Sequence, residues 1–473
     1  MYKTPYLVTA LLTAVMLVIS TVTTAVAEDK PAQVLIVNVD VWDGTGEEVQ
    51  KGVDVLIEGN KIAKIAKGIK APNATTINGQ GGTMTPGLID MHQHLTLNGG
   101  TAGGNEWDAY VQGAHASRAA EYLLKNGFTT VRDIAGNSIG LKRAINSGAL
   151  PGPRIYTSGP AMGPTGGHSD WGSRVAAPGE QGYQQKVMNT AVIDGVDEWL
   201  RTARWIFRNG GDFLKVMSGG GVASEFDPID LNSPSLDEMK AAVQVANEYG
   251  GYVAIHGYTD AAYNKSLDAG VKSFEHGFLV SEKTVKRMKK EGVWWSWQPY
   301  GSYEYFGKGG FPEWFTADMR EKGALVGKGA IEVPKLMKKH GVKMFNGSDM
   351  FGWDNWDKAI VNVTTPVDVP GAGFNSLDAM KLVTSYPGQA LLELSSPSRN
   401  PYKGAKLGVV EEGAWADVLI WNGDPTKDIK LVLKAENLKL VMKDGKVYKN
   451  LLVDPSHESF RGAPAPSGHS FNL

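Results

Sequence analysis

The chain has 473 residues, of which 42% are hydrophobic and 21% charged, with 48 basic against 50 acidic side chains. This length exceeds what one hydrophobic core organises and the composition is near average, which predicts a large domain with a smaller companion and excludes a mostly disordered chain. The absence of cysteine excludes disulfides, thiol catalysis and Cys-ligated metal sites, and the balanced charge argues against nucleic acid or an anionic membrane as a partner.

The first 27 residues differ in kind from the rest of the chain. Lys3 precedes an apolar stretch over residues 6–26, which ends in Ala-Val-Ala and is followed by the polar residues 28–30. Small residues at this spacing are typical of a signal peptidase site, so we interpret residues 1–27 as an export signal. The mature protein is then periplasmic or secreted, without stable membrane association. A retained membrane anchor is the alternative, because the apolar stretch is near the length that spans a bilayer.

Strand-like runs at both ends of the chain share one character. Residues 33–39 and 53–59 are apolar and β-branched, and so are residues 416–421 and 438–447. Hairpins this short cannot bury a face alone, so we expect both ends to form one small β-sandwich domain. Its predicted extent is residues 28–84 together with 396–450.

Between the two ends, over residues 85–395, short apolar runs alternate with longer amphipathic segments, which is typical of βα units and a parallel sheet. The predicted strands end near His92, Asp133, Ser158, Met217, His256, His276, Pro299 and Asp349. Helical patterns lie between them at 114–125, 235–249 (capped by Ser235) and 330–339. Eight such units predict an α/β fold with a TIM-type (β/α)8 barrel, whose catalytic residues lie at the carboxyl ends of the strands.

Segment 298–329 is longer than ordinary connections and rich in Gly, Tyr and Phe, so it is predicted to cover the pocket. An aromatic stretch begins just before it. Its rings are those of Trp294, Trp295, Trp297, Tyr300, Tyr303 and Tyr305. They either line a pocket for apolar side chains or pack one face of a strand against helices. The tail at 451–473 is predicted to be weakly ordered.

The first barrel strand ends in the pair His92 and His94. Residues i and i+2 of a strand point to the same side, so the two imidazoles can converge on one ion, as nitrogen ligands of the kind zinc takes. Two histidines on one strand face are more often solvated or packed, but a barrel strand end favours ligation. His256 and His276 repeat the pattern, which places four of the nine histidines at strand ends.

Two other residues extend this set of candidate ligands. Asp349 closes the eighth strand, where a carboxylate could bind metal and take a proton from water, and a helix cap or turn is the alternative. Lys215 lies in the apolar run 212–217, where burial would lower its pKa and leave a neutral amine. Such an amine can react with carbon dioxide to form a carbamate that bridges two cations; a surface lysine is the alternative.

The string TPGLIDMHQH at 85–94, followed by Lys215, His256, His276 and Asp349, resembles the amidohydrolase superfamily. The likeness covers nearly the whole mature chain and includes residues 38–44, 59–62 and 413–418. The motifs at 165–168 and 256–258 look like the imidazolonepropionase-related branch, which includes prolidase-like dipeptidases and ochratoxin-type amidases. Ser169 and Gly257 depart from the commonest wording of these two motifs, which makes the substrate contacts less secure than the ligands.

The resemblance implies an exported binuclear metal-dependent hydrolase that removes the C-terminal residue of dipeptides or N-acyl amino acids. It implies two divalent ions, with zinc expected, and carboxylated Lys215 as their bridging ligand. The implied ligands are His92, His94 and Asp349 for one ion, and His256 and His276 for the other. Asp349 would also be the catalytic acid and base. The implied contacts to the substrate's carbonyl or carboxylate are His168 and Tyr258.

Three alternatives stay open at this point. Other branches of the superfamily hydrolyse lactones, cyclic amides or phosphotriesters with nearly the same ligands. Imidazolone hydrolysis is disfavoured, because that branch lacks the bridging lysine. A metal-binding periplasmic binding protein is the non-enzyme alternative, since some members of such folds lose their activity. The expected partner is a small molecule or a short peptide, and the sequence leaves a homo-oligomer open.

Overall fold

The computed structural model describes residues 31–97, 108–352 and 355–452. The predicted export signal at 1–27 and residues 453–473 of the predicted tail lie outside the described residues. Within the three described ranges, every helix is too short or too polar to cross a bilayer.

The described residues form strands and helices in the following order along the chain. The strands are β1 (Gln33–Val41), β2 (Gln50–Glu58), β3 (Lys61–Ala66), β4 (Thr75–Asn78), β5 (Thr83–Pro86), β6 (Leu88–Gln93), β7 (Phe128–Asp133), β8 (Arg154–Thr157), β9 (Ala161–Gly163), β10 (Thr190–Val192), β11 (Leu214–Met217), β12 (Val253–Thr259), β13 (Ser273–Leu279), β14 (Trp294–Trp297), β15 (Lys343–Asn346), β16 (Val418–Trp421), β17 (Leu438–Lys443) and β18 (Lys446–Asn450). The helices are α1 (Ala109–Lys125), α2 (Ile139–Asn146), α3 (Tyr183–Lys186), α4 (Val196–Asn209), α5 (Leu236–Glu248), α6 (Asp260–Ala269), α7 (Glu282–Glu291), α8 (Ala317–His340), α9 (Lys358–Thr364), α10 (Ser376–Leu382) and α11 (Ser385–Leu394).

Strands from both ends of the chain form one mixed sheet, in the order β18-β17-β16-β5-β1-β2-β3 with β4 beside β1. One face of this sheet buries Ile36 and Ile420. On the other face, Leu419 and Trp421 share a core with Leu123 of α1. Because both faces of β16 are covered, its sequence is apolar without alternation. A β domain built from both chain ends is therefore present, as one hydrogen-bonded sheet; its predicted form as a sandwich and its boundaries stay predictions.

The remaining strands are parallel and alternate with helices. β6, β7 and β8 form one sheet, and a second has the order β10-β9-β11-β12-β13-β14-β15. The Asp212 amide, just before β11, donates to the Thr157 carbonyl at the end of β8 (2.7 Å). On the other side, the Asp349 amide after β15 donates to the His92 carbonyl of β6 (2.6 Å). The two sheets are thus joined by backbone hydrogen bonds next to β11 and next to β15.

The predicted strands correspond to β6, β7, β8 and β11 to β15. The predicted ends at Asp133 and Met217 coincide with the observed ends of β7 and β11. β12 and β13 continue beyond the predicted ends at His256 and His276, to Thr259 and Leu279. An α/β fold with alternating strands and helices is confirmed.

Two helices show how local sequence determined the accuracy of the predictions. α5 begins where predicted, because Ser235 and Glu238 form a reciprocal capping box. α8 begins at Ala317, well before the predicted start at residue 330. Segment 298–329, which was predicted to cover the pocket, therefore contains the π-helical turn Gly301–Gly307 and the first half of α8.

Candidate metal centre and active site

One pocket collects every residue predicted for the site, at the carboxyl ends of the parallel strands. It encloses about 1000 Å³, its open mouth included. Its lining includes His92, His94, His168, Lys215, His256, Tyr258, His276 and Asp349. The alternating strands and helices therefore bring together side chains from across more than half of the chain.

Four imidazoles and one carboxylate form the floor of this pocket. Ring centroids lie 5.1 Å apart for His92 and His94, and 5.1 Å apart for His92 and His276. His256 lies 4.5 Å from His276 by the same measure. Asp349 Oδ1 lies 3.0 Å from His94 Nε2 and 3.3 Å from His92 Nε2. Ligand atoms of His92, His276 and Asp349 fall within 4.8 Å of one another, so one ion could contact all three.

In three of these rings, one nitrogen donates a hydrogen bond to a carboxylate or to a backbone carbonyl. The three bonds are His92 Nδ1 to Glu275 Oε2 (2.9 Å), His94 Nδ1 to the Ala135 carbonyl (3.2 Å) and His256 Nε2 to the Gly220 carbonyl (3.2 Å). With the proton on that nitrogen, the opposite nitrogen can present its lone pair to a metal ion, although in His94 it faces the Asp349 carboxylate. The rings are thus held in ligand-competent tautomers by the surrounding protein.

Burial sets the charge state of these groups. It lowers the pKa of His92 to about 4 and the pKa of His256 and His276 well below the ordinary value, so the three imidazoles are neutral at neutral pH. Burial acts to raise the pKa of Asp349, but His92, His94 and His276 around it hold that pKa well below its ordinary value. The floor therefore presents neutral nitrogen donors beside an ionised carboxylate, which suits a divalent cation.

Lys215 of β11 is 1% exposed. Burial lowers the pKa of its ammonium to about 8, so a neutral amine is accessible near neutral pH. Although Lys215 lines the pocket, no described residue forms a hydrogen bond or ion pair with its Nζ. This burial excludes the alternative of a surface lysine. An amine without a hydrogen-bonding partner among candidate ligand side chains is compatible with carbamate formation, which would turn it into an anionic oxygen ligand.

A buried ion pair beneath the histidines was missed by the sequence analysis. Arg132 Nη2 of β7 lies 2.7 Å from Glu275 Oε1 of β13, and both side chains are fully buried. Arg132 also donates to the Met91 carbonyl (2.6 Å) and to Ser273 Oγ (2.9 Å). Burial acts to raise the pKa of Glu275, but Arg132 holds it well below its ordinary value. The ionised Glu275 can therefore orient the His92 ring through its second oxygen.

The two predicted substrate contacts lie beside the ligands. The His168 ring stacks on His256 with centroids 4.0 Å apart and an interplanar angle of 13°. Tyr258 of β12 stacks on His276 with centroids 5.4 Å apart. Burial raises the pKa of Tyr258 well above its ordinary value, so its hydroxyl stays protonated and can donate a hydrogen bond.

The chain segments that contain His92 and Asp349 approach each other closely at Gly347. A Cβ on Gly347, just after β15, would lie 2.2 Å from the His92 Cβ, so only glycine fits there. Asp349 (φ 59°) and His276 (φ 69°) both adopt the left-handed backbone conformation. Non-glycine residues in this region carry conformational strain that is often stored at functional sites.

The walls above the floor are largely apolar. Aromatic rings that line them are Trp171, Phe278, Tyr305, Phe306, Trp314, Phe315 and Phe351. Of the predicted aromatic stretch, Tyr305 reaches this lining, whereas Trp295 and Trp297 are fully buried in the core. The packing alternative therefore holds for the tryptophans of β14. Among the lining residues that the structure describes there is no arginine.

The chain is similar to known proteins in both sequence and fold. The sequence profile of the Amidohydrolase family matches residues 83–448. Ochratoxinase from Aspergillus niger is 28% identical over 399 residues, which are 80% of this chain and 78% of the relative. A solved prolidase complexed with N-methylphosphonate-L-proline is 28% identical, with a TM-score of 0.79, over 89% of this chain and 100% of that one. A solved Xaa-Pro dipeptidase with bound methionine is 27% identical, with a TM-score of 0.75, over 89% and 100%.

The family match extends over most of the chain, from β5 into β18. The resemblance to the branch of ochratoxin amidases and prolidase-like dipeptidases is confirmed by these relatives. The chain therefore belongs to the amidohydrolase family and is a hydrolase of carbon–nitrogen amide bonds.

Proposed function

We propose that the chain is an exported, binuclear metal-dependent amidohydrolase that releases the C-terminal residue of dipeptides or N-acyl amino acids. The observation that carries the proposal is the convergence of four histidines, Asp349 and the buried Lys215 in one pocket. The similar prolidase and Xaa-Pro dipeptidase structures support a dipeptide-like substrate. The signal peptide predicted at 1–27 from the sequence supports a periplasmic or secreted enzyme.

The proposal includes closure of the two parallel sheets into one TIM-type (β/α)8 barrel. The hydrogen bonds from Asp212 to Thr157 and from Asp349 to His92 support it, because they join the two sheets next to β11 and next to β15. The ion pair between Arg132 and Glu275 supports it further, since it links β7 of one sheet to β13 of the other in a fully buried interior. A barrel would place all the site residues at one end of the strands.

The donor set fits two divalent cations, and zinc is the expected ion because neutral imidazoles dominate it. When bound, such ions would polarise the scissile carbonyl and lower the pKa of a water molecule. The residues that would hold them are His92, His94 and Asp349 for one ion, His256 and His276 for the other, and carboxylated Lys215 between the two.

The chain's own side chains would carry the proton transfers and the substrate contacts. Asp349 rests as a carboxylate and so can take a proton from the attacking water and hand it to the leaving nitrogen. The protonated Tyr258 hydroxyl can donate to the carbonyl or carboxylate of the substrate, and His168, which stacks on His256, is the second proposed substrate contact. The aromatic walls exclude water and favour substrates with apolar side chains.

A substrate screen tests the proposal. The purified chain without its export signal is offered Xaa-Pro and Xaa-Arg dipeptides and N-acyl amino acids, with lactones and phosphotriesters as the competing classes. We expect amide substrates with apolar residues to reach a kcat/KM above about 10⁴ M⁻¹ s⁻¹, within the range of natural enzymes. Turnover of lactones or phosphotriesters without turnover of any amide would contradict the proposal and favour the competing activity.

A further inference from the structure

A buried polar cluster lies at the Nδ1 side of the His168 ring and has no part in the mechanism above. His168 Nδ1 lies 3.0 Å from Asp227 Oδ2 and 2.9 Å from Ser224 Oγ. Asp227 is 2% exposed and Ser224 3% exposed. Because both belong to the loop between β11 and α5, one short loop supplies the whole set of partners of this nitrogen.

The bonding pattern of the cluster determines where the His168 proton lies. Asp227 Oδ2 also accepts from the Gly221 amide (2.7 Å), and Ser224 Oγ donates to the Gly221 carbonyl (3.1 Å). Burial acts to raise the pKa of Asp227, but His168 and Ser224 hold it below its ordinary value, so Asp227 is a carboxylate. With only acceptors facing it, Nδ1 must carry the proton, and Nε2 lies on the opposite side of the ring.

The position of the His168 ring is also restricted by the His256 ring and by the backbone at Gly221. The His256 ring stacks on it at 4.0 Å. A Cβ on Gly221 would lie only 1.9 Å from His168 Cε1, so the loop backbone approaches the ring closely. The ring therefore has little freedom to tilt, and its orientation depends on the loop.

The loop itself is fixed to α8. Lys322 of α8 is 6% exposed and donates to the carbonyls of Ser224 and Asp227. The buried Lys322 ammonium thus fixes the backbone of the loop, and the loop fixes the hydrogen-bonding partners of His168.

We propose that Asp227 is a positioning residue, which holds His168 in the tautomer with Nδ1 protonated and directs Nε2 to the substrate. The contact with substrate rests on the proposed function, whereas the tautomer stands on the geometry of the loop. With the proton on Nδ1, Nε2 keeps its lone pair and can accept a hydrogen bond from an N–H or O–H of the substrate, and the Asp227 carboxylate makes this nitrogen a stronger acceptor.

A double-mutant cycle tests this role with Asp227→Asn, His168→Ala and the double variant. Asp230→Asn is the matched control, because Asp230 is an exposed residue of the same loop. We expect Asp227→Asn to lower kcat/KM by about 10- to 100-fold, the range for carboxylates that orient a functional imidazole. In the His168→Ala background the same change should alter kcat/KM by less than about 2-fold. Additive losses would overturn the proposal, because they would show that Asp227 acts without His168.

A second readout does not depend on turnover. In the full chain labelled with ¹⁵N-histidine, the ring nitrogen signals of His168 are assigned by their absence in the His168→Ala variant, or in His168→Gln if the alanine variant does not fold. We expect the proton on Nδ1 in the wild type and a changed ring spectrum in Asp227→Asn. A wild-type proton on Nε2 alone would overturn the proposal. Failure of the amide screen with the expected spectrum would instead count against the proposed function.

Discussion

Asp349→Asn is expected to lower kcat by about 1000-fold, the middle of the range for loss of a general acid and base. Asparagine keeps an oxygen that can bind a metal, but it can neither accept nor return a proton at the pH of the reaction. The carboxylate lies 3.0 Å from His94 Nε2 and 3.3 Å from His92 Nε2, so in the proposed mechanism it lies beside the proposed ligands and can take the proton of the attacking water. The metal content should fall much less than turnover.

The measurement compares kcat with metal content for each purified variant, on the best substrate of the screen. Asp357→Asn is the control, because Asp357 pairs with Lys358 and is 54% exposed. It should leave both quantities unchanged. Equal losses of turnover and metal in Asp349→Asn would remove the acid and base role and leave Asp349 a ligand alone.

Glu275→Gln is expected to lower the free energy of unfolding by about 3–5 kcal/mol, the range found when one partner of a buried ion pair is removed. The amide has the shape of the carboxylate but no charge, so the fully buried Arg132 guanidinium loses its counter-ion. The Arg132 guanidinium lies over the rings of Phe213 and Phe345, and neither ring carries a negative charge that could replace the carboxylate. His92 also loses the charged acceptor that orients its ring.

Chemical denaturation of the wild type and of Glu275→Gln measures this loss of stability. Glu291→Gln is the matched control, since Glu291 lies on the surface and pairs with Arg287 one helical turn away. Exposed pairs of this kind contribute about 0.2–1 kcal/mol. A change below about 1 kcal/mol in Glu275→Gln would show that the buried pair does not hold the interior together.

The residues of the candidate metal centre were predictable because most of them follow an apolar strand. His92, His256 and His276 end runs whose period and composition indicate strands, and parallel strands bring their carboxyl ends together. Asp349 followed from the same reasoning. Lys215 was found because a lysine within an apolar run is costly unless it has a function.

The supporting residues were not predictable from such patterns. Glu275 and Arg132 are charged residues inside strands, and their pairing depends on which strands face each other, which spacing along the chain does not reveal. Asp227 was missed because it lies in a loop without a strand signal. Only the fold brings it 3.0 Å from His168.

The start of α8 was predicted too late in the chain for a different reason. Its first half contains Gly323, Gly327 and Gly329, which lower helix propensity by about 1 kcal/mol each relative to alanine. The structure shows why glycine is used there. A Cβ on Gly329 would lie 1.5 Å from the Phe278 carbonyl oxygen, and one on Gly327 would lie 2.5 Å from the Phe306 carbonyl oxygen. Close packing against β13 and the π-helical turn outweighs the local preference.

The number of divalent ions bound per chain is the most direct test of the proposed centre. The purified mature protein should hold about two ions per chain, as expected for a two-metal hydrolase. Chelation should abolish amide hydrolysis, and zinc should restore it. A metal-free chain that hydrolyses amides at an unchanged rate would contradict the binuclear centre, and a metal-free chain that is inert after zinc is added would contradict the enzyme itself.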